Sequence, residues 1–204
     1  MRLYNSVGPN PQIVRTFAAE KGVTLELLPV DIMGGENRGE AFKARNPMGQ
    51  LPALELDTGQ VIAEVTVICE LLEELHPQPV LIGSTVAERA ETRMWCRRMD
   101  YLVIEPFMAG FRATAGRPFF APRMPLLSES AGKEMIGLLN GNLKQLDTLL
   151  QGRTWVCGDR FTLADILVGC LLLFGTKSGA PLPEGLSWFP GFLERCQARP
   201  SFSA

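Results

Sequence analysis

Histidine is almost missing from this chain, which carries one, His76. A zinc site drawn from a single histidine and scattered cysteines would need an unusual ligand set. His76 precedes Pro77 at the end of a helical pattern, where it reads as a helix C-terminal residue instead. Cysteine is sparse too. Cys69, Cys96, Cys157, Cys170 and Cys196 are odd in number, widely spaced and without a C-x-x-C pair. That pattern argues against a disulfide framework and a dithiol redox centre. Cys69, Cys96 and Cys170 fall in apolar helical patterns and read as small buried hydrophobes. Neither charge is in excess: 20 basic and 22 acidic residues leave -2. Such a balance supports neither a non-specific nucleic-acid binder nor a polybasic membrane anchor. The longest strongly apolar run, Ile166 to Gly175, is far short of a bilayer. A basic flank followed by an apolar signal core is absent from the start of the chain, so cytoplasmic residence is the expectation. Gly34, Gly35 and Gly39 do not form a G-x-x-x-x-G-K-[ST] phosphate loop. Repeats and low-complexity tracts are absent.

What is present is a folded composition of 204 residues, 46% apolar with 11 Phe and 3 Trp, ample for one domain or two small ones. Residues 2–5 read as a strand. Asn10-Pro11 reads as a helix start, Asn as cap and Pro at the first helical position. Ile13, Val14, Phe17 and Ala18 supply its apolar face, and Gly22 closes it. A second strand is predicted over 24–30, a polar glycine-bearing loop over 31–40, and a short helix over 42–44. Residues 53–56, a turn at 57–59, and 61–62 read as an antiparallel hairpin. Val67, Ile68, Leu71, Leu72 and Leu75 then make one helical stripe. The order β-α-β-α-β-β-α fills a complete small layered domain over 1–77, with a Pro-rich linker at 78–84.

Every segment from 85 to 204 reads helical, with irregular stretches between. Thr85 to Glu88 is a capping box that opens a long helix reaching Ile104. Pro106 is expected to kink or end it. Residues 107–124, rich in aromatics, glycine and proline, read as irregular. A helix over 128–150, a box at Thr162 to Asp165 and a last helix over 190–198 complete the pattern.

The run from Asn46 to Leu56 carries the strongest functional hint. Pro47 and Gly49 mark a turn, and Pro52 sits where a strand should begin. A cis bond before Pro52 would leave the N–H and C=O of Leu51 facing outward without a sheet partner, ready for an extended peptide. A plain turn before an edge strand is the competing reading.

An α/β unit followed by a helical unit, with N-P-x-G-x-x-P at 46–52, Ile62-Ala63-Glu64-Val65 and Phe161-Thr162-Leu163-Ala164-Asp165, resembles the soluble glutathione S-transferases. Leu3-Tyr4-Asn5-Ser6 through Val14-Arg15 belongs to the likeness, which covers essentially the whole chain. The resemblance implies a thioredoxin-like first domain, a cis Pro52, an all-α second domain and a cytoplasmic homodimer. It implies glutathione as co-substrate, with no metal and no nucleotide, and a small electrophilic or disulfide partner. It places the cysteinyl part of glutathione on Leu51, beside Pro52, like an added strand. Glu64 would accept from the ligand's ammonium, while the amides of Val65 and Thr66 hold its α-carboxylate. Gln50 would help with the glycyl end. Val65 stands where the family usually has Ser. Without the resemblance, Glu64 reads as an acid placed for a helix dipole.

The thiol contact is less regular. The matching loop reads Ser6-Val7-Gly8-Pro9-Asn10, closest to nu-type bacterial transferases, whose loop ends in Thr-Pro-Asn. On that likeness Asn10 touches the sulfur and Gly8 replaces the threonine. Ser6 is the second candidate, and Tyr4 reads as a sheet residue. An amide donor stabilises a thiolate without taking its proton, so disulfide reduction or peroxidase activity is the alternative to conjugation. A non-catalytic binding protein on the same fold is the third reading, motivated by Gly8 and Val65. Tyr101, Phe107, Phe111, Phe119, Phe120 and Met124 are candidates for the wall of an electrophile pocket, with Arg112 or Arg123 selecting an anionic group. Taken singly, each of these apolar residues reads more readily as core than as pocket wall.

Overall fold

A computed structural model describes residues 1–204. The chain divides into two compact units, Met1–Ile82 together with Arg199–Ala204, and Gly83–Ala198.

The first unit runs β1 (Arg2–Asn5), α1 (Pro9–Glu20), β2 (Glu26–Pro29), a 3-10 turn at Glu36–Arg38, α2 (Glu40–Lys43), β3 (Ala53–Glu55), β4 (Val61–Ala63) and α3 (Val65–Leu75). The sheet order is β2-β1-β3-β4, with β1 parallel to β2 and antiparallel to β3. Only four residues of the predicted second strand pair, because β1 offers four partners, Arg2 to Asn5. Leu3, Ile13, Phe17, Leu54, Ile68 and Leu72 are fully buried between sheet and helices. A second cluster joins Tyr4, Val30, Phe42, Leu51 and Ala53. Tyr4 meets Phe42 edge-on at 5.6 Å and donates its hydroxyl to Glu55.

Helix α1 starts earlier than the sequence suggests. Its cap is Gly8, at φ 114, and Pro9 occupies the first helical position. Only glycine adopts that φ without strain, and a proline there loses no helical hydrogen bond. Asn10 is therefore not the cap; it lies inside the first turn.

The linker and the tail both depart from the sequence reading. Residues 78–82 pack with the first unit: Leu81 and Ile82 are buried, and their amides donate to the Glu73 carboxylate at 3.0 and 2.9 Å. Lys21, its side chain fully buried, pairs with Glu73 and donates to the Pro79 carbonyl. Arg199 forks onto Glu20 at 2.8 and 2.6 Å, and Gln12 donates to the Ala204 carbonyl at 3.0 Å. Residues 199–204 thus belong with the first unit, where the sequence reading ran the helical domain through 204.

The second unit contains α4 (Val86–Met99), a π-helical turn Asp100–Ile104, α5 (Glu105–Ala113), α6 (Arg117–Phe120), α7 (Glu129–Leu149), α8 (Leu163–Lys177) and α9 (Trp188–Gln197). Pro106 does not end the long helix. Its missing N–H would have paired with the Leu102 carbonyl, and the Asn142 amide fills that role at 2.9 Å. The chain stays helical to Ala113, so the irregular segment is shorter than residues 107–124. The capping box at Thr85 and Glu88 forms as expected. At the start of α8, Asp165 accepts from the Val156 and Thr162 amides, each at 2.8 Å. Asp147 on α7 gathers the amides of Ser187, Trp188 and Phe189 at the start of α9. No helix is long and apolar enough to cross a membrane.

Candidate functional site

Sheet register brings three separate segments to one end of the first unit. Tyr4 lies opposite Ala53, and Ala53 opposite Ala63. The pairs are antiparallel, so continuing β1 forward to Ser6 means moving back along β3 to Leu51 and forward along β4 to Glu64. Neighbouring strands lie about 4.8 Å apart, which puts the three groups on adjacent tracks. Val30 donates to the Asn5 carbonyl at 2.8 Å, so the 31–50 segment leaves from this same end and returns to it at Gln50.

The turn before β3 is built by specific contacts. The Asn46 side chain, buried, donates to the Gln50 carbonyl at 2.8 Å, and the Asn37 amide donates to the Gly49 carbonyl at 2.7 Å. Gly49 sits at φ 61, and a Cβ there would lie 2.7 Å from the Asn37 carbonyl oxygen. The motif's Asn and Gly are thus fixed by backbone needs. Leu51–Pro52 is cis. Ladder pairing begins only at Ala53. The main-chain N–H and C=O of Leu51 have no partner in the chain. A rigid donor–acceptor pair is left open beside two paired strands.

One strand further, Glu64 occupies the cap position of α3 at φ 69, the one non-glycine residue with positive φ. Its exposed carboxylate makes no ion pair or hydrogen bond within the chain. The first turn of α3 carries no acid, so the amides of Val65 and Thr66 face outward uncompensated, a ready position for a carboxylate. At β1's end, α1 likewise has no acid in its first turn. Pro9 and Pro11 each lack an N–H, so Asn10 and Gln12 supply the free backbone donors there. The side chains of Ser6 and Asn10, both half-buried, are unengaged. Arg15 holds this junction, donating to the Asn5 and Gln12 side chains.

An open strand-like pair, an unpaired carboxylate and two helix N-termini on one rim suit a short extended peptide with charged groups at one end. Residues 7–75 match the model of the glutathione S-transferase N-terminal domain, and residues 112–200 that of its C-terminal domain. Glutathione S-transferase 2 of Saccharomyces cerevisiae is 32% identical over 206 residues, covering 98% of this chain and 87% of that protein. The chain belongs to the glutathione S-transferase family. The crystal structure of a glutathione S-transferase domain-containing protein from Marinobacter aquaeolei superposes with a TM-score of 0.92 at 33% identity, covering 99% of this chain and all of that one. Gtt2 of Saccharomyces cerevisiae superposes at 0.91 with 31% identity, over 100% and 99%.

Among transferase donors, tyrosine is spoken for here. Burial and the Glu55 carboxylate both raise the Tyr4 hydroxyl above its ordinary pKa. Cysteine is ruled out by position, since all five are buried, outside the rim segments. Asn10 and Ser6 are left at the loop.

The helical unit's predicted pocket residues separate into three places. Phe107 and Phe111 stack at 5.8 Å, with Phe174 edge-on to both. Phe107 and Phe111, but not Phe174, line a cavity of about 390 Å³ with Leu139, Asn140, Leu172 and the 179–184 loop. Phe120 and Phe119 continue the edge-on series from Phe111. Arg123 covers Phe119 at 3.4 Å and Arg112 lies 5.5 Å from the Phe120 ring, so neither guanidinium lines the cavity. Tyr101 is 60% exposed beneath Arg97 and lies outside this cluster. Met124, half-buried, ends the segment. The 179–184 loop was missed from sequence; its Pro181-Leu182-Pro183 run was the available signal.

Proposed function

We propose that the protein binds glutathione at this rim, stabilises its thiolate and presents it to a small electrophile. The cysteinyl backbone pairs with Leu51 beside Pro52, as an added strand. Glu64 accepts from the γ-glutamyl ammonium, and the Val65 and Thr66 amides hold its carboxylate. Gln50, exposed at the turn, reaches the glycyl end. Asn10 donates its amide to the sulfur, with Ser6 as a second donor. A thiol of pKa about 8.5 is a few per cent ionised near neutrality. Lowering it by two units takes roughly 2.7 kcal/mol of preference for the anion, within reach of one or two hydrogen bonds and a helix N-terminus.

The observation that carries this reading is the unpaired N–H and C=O of Leu51 at the same sheet end as Glu64 and Asn10. Calorimetry tests it directly. Saturable glutathione binding is expected, with thiolate absorbance developing below the free-thiol pKa; no heat at millimolar glutathione defeats the proposal. Asn10→Ala should lower kcat near neutrality by roughly tenfold with KM for glutathione little changed, because a thiol pKa raised by about one unit leaves about a tenth of the thiolate. Asn10 is not a helix cap, so that fall is not blurred by loss of a capping bond.

Disulfide reduction is the second reading. The same stabilised thiolate attacks a disulfide sulfur, and nothing in the loop from Ser6 to Asn10 is particular to a carbon electrophile. Comparing turnover of an aryl halide with that of a small glutathione-reactive disulfide separates the two. Failure of both would favour a non-catalytic binding role. Sedimentation tests the homodimer that the family likeness implies.

A further inference from the structure

The loop from Ser6 to Asn10, which carries both candidate thiol donors, is weakly held by its own atoms. Ser6 and Val7 make no hydrogen bond within the chain, and Val7 is 72% exposed. Gly8 is the residue type with the widest conformational range, and Pro9 and Pro11 bring no N–H. What spans the loop is one guanidinium. Arg15 donates from one terminal nitrogen to the Asn5 side chain, at the end of β1, and from the other to the Gln12 side chain in α1. Its Nε donates to the Ala204 carbonyl at 3.3 Å, which Gln12 also engages at 3.0 Å.

We propose, resting on the glutathione reading above, that Arg15 is a positioning residue for the thiol. By clipping the end of β1 to the start of α1, it sets where Asn10 stands relative to Leu51.

Asn10 rides on α1, whereas Leu51 leads into β3, which is laddered to β1. The separation between the sulfur's donor and the anchor of the cysteinyl backbone therefore depends on how α1 meets β1 at this one end. Buried Ile13, Val14 and Phe17 hold the body of α1 to the sheet, but they follow the first turn and leave its entry to Arg15. A displacement of about 1 Å can cost a positioned reaction on the order of 100-fold, so a clip here bears on the thiolate directly. Arginine suits the task. Its planar fork serves acceptors in three segments at once, a geometry that a lysine ammonium on a flexible stem does not reproduce. Through Ala204 the returning tail, residues 199–204, braces the same set of bonds.

Nitrogen-15 relaxation of the ligand-free full chain, together with the thiolate absorbance of bound glutathione, tests the clip. Order parameters at Val7 and Gly8, about 0.85 for rigid backbone, should fall toward about 0.6 in Arg15→Met and Arg15→Lys alike. In both variants the apparent thiol pKa of bound glutathione should rise by about one unit. Turnover near neutrality should then fall roughly 3- to 10-fold, with KM for glutathione changed by less than about threefold. Arg15→Lys keeps the charge, so an unshifted thiol pKa in that variant would reveal a charge effect and overturn positioning. Additivity would do the same: a residue acting through Asn10 adds little to the pKa shift of Asn10→Ala when the two are combined. Damage to the fold alone would lower the thermal midpoint while leaving the thiol pKa of the folded protein in place, again against the clip. Should the arginine variants not fold, Asn5→Ala removes the β1 anchor and keeps the guanidinium, and the same loosening and pKa rise are expected. The relaxation measurement needs no glutathione. A protein that binds none strikes the transferase reading, whereas unchanged order at Val7 and Gly8 in a protein that does bind it strikes the clip.

Discussion

Glu64 holds a positive φ that costs a side-chain-bearing residue on the order of 1–2 kcal/mol. The conformation turns an unpaired carboxylate outward beside the start of α3, the arrangement expected when strain serves a ligand. Glu64→Gly should therefore raise stability by about 1 kcal/mol in urea unfolding while weakening glutathione binding by tenfold or more. Glu64→Ala keeps the strain and loses the carboxylate, so it should weaken binding without the gain. A Gly variant that is no more stable than the Ala variant would contradict the strain argument. Gly8 shows the reverse dependence. A threonine at this position would be forced to φ 114 with a β-branched side chain, so Gly8→Thr is expected to destabilise rather than to add a donor. Sequence could assign Glu64 a carboxylate's role by motif, but not its φ. It misread Asn10 as a cap because Asn-Pro and Gly-Pro both suit a helix start, and only the backbone at Gly8 decides between them.

Asp165, fully buried at the head of α8, is the residue most sensitive to pH. Burial pushes its carboxyl from 3.8 up to about 7, against the pull of the Val156 and Thr162 amides. The folded state then keeps a proton that the unfolded chain has released. Stability from this group is full below about pH 4 and is lost as pH rises through about 7. Melting temperatures measured from pH 4 to 8 should show that decline, and Asp165→Asn should flatten it while lowering the melting temperature throughout. The lowering follows because an amide supplies one acceptor oxygen where two backbone donors converge.

Among the elements, the long helix through Pro106 depends on a side chain from another helix. Asn142→Leu leaves the Leu102 carbonyl without its substitute donor and is expected to cost about 1–3 kcal/mol, read by denaturant midpoint. Asn142→Asp, which cannot donate when ionised, should cost at least as much above its pKa. This also explains where periodicity succeeded and where it did not. Helix α3 and the boxes at Thr85 and Thr162 are local, spanning four to eleven residues, and were legible, although Val67 and Leu75 of the α3 stripe lie half exposed and Cys69 is buried in their stead. The bond that carries the helix past Pro106 joins residues 40 apart in sequence, so a local rule reads only a breaker. Asp147 is similar: burial opposes its ionisation, and the Ser187, Phe189 and Trp188 amides outweigh it, so its pKa falls. Nothing near Asp147 in sequence announces that it anchors α9.

For the whole molecule, the division of the chain was legible in outline and wrong at its ends. Composition shifts mark a Pro-rich boundary near 78, yet buried Leu81 and Ile82 carry the first unit on to 82. The return of residues 199–204 had no local signal, because the Arg199–Glu20 pair spans 179 positions. Glu20→Ala removes the acceptor shared by Arg199 and Ser201. It is expected to destabilise by about 1–3 kcal/mol and to speed amide exchange in α1. Unchanged exchange in α1 would argue that the tail merely rests there.

That returning tail sets an order on how the protein comes into being. Synthesis runs from the first residue to the last, and domains ordinarily close as they emerge. Here the unit that carries the β-sheet is drafted first, yet its final six residues are the last of the 204 to be translated. Until all the helices have been made, α1 must wait on the ribosome with one flank uncovered.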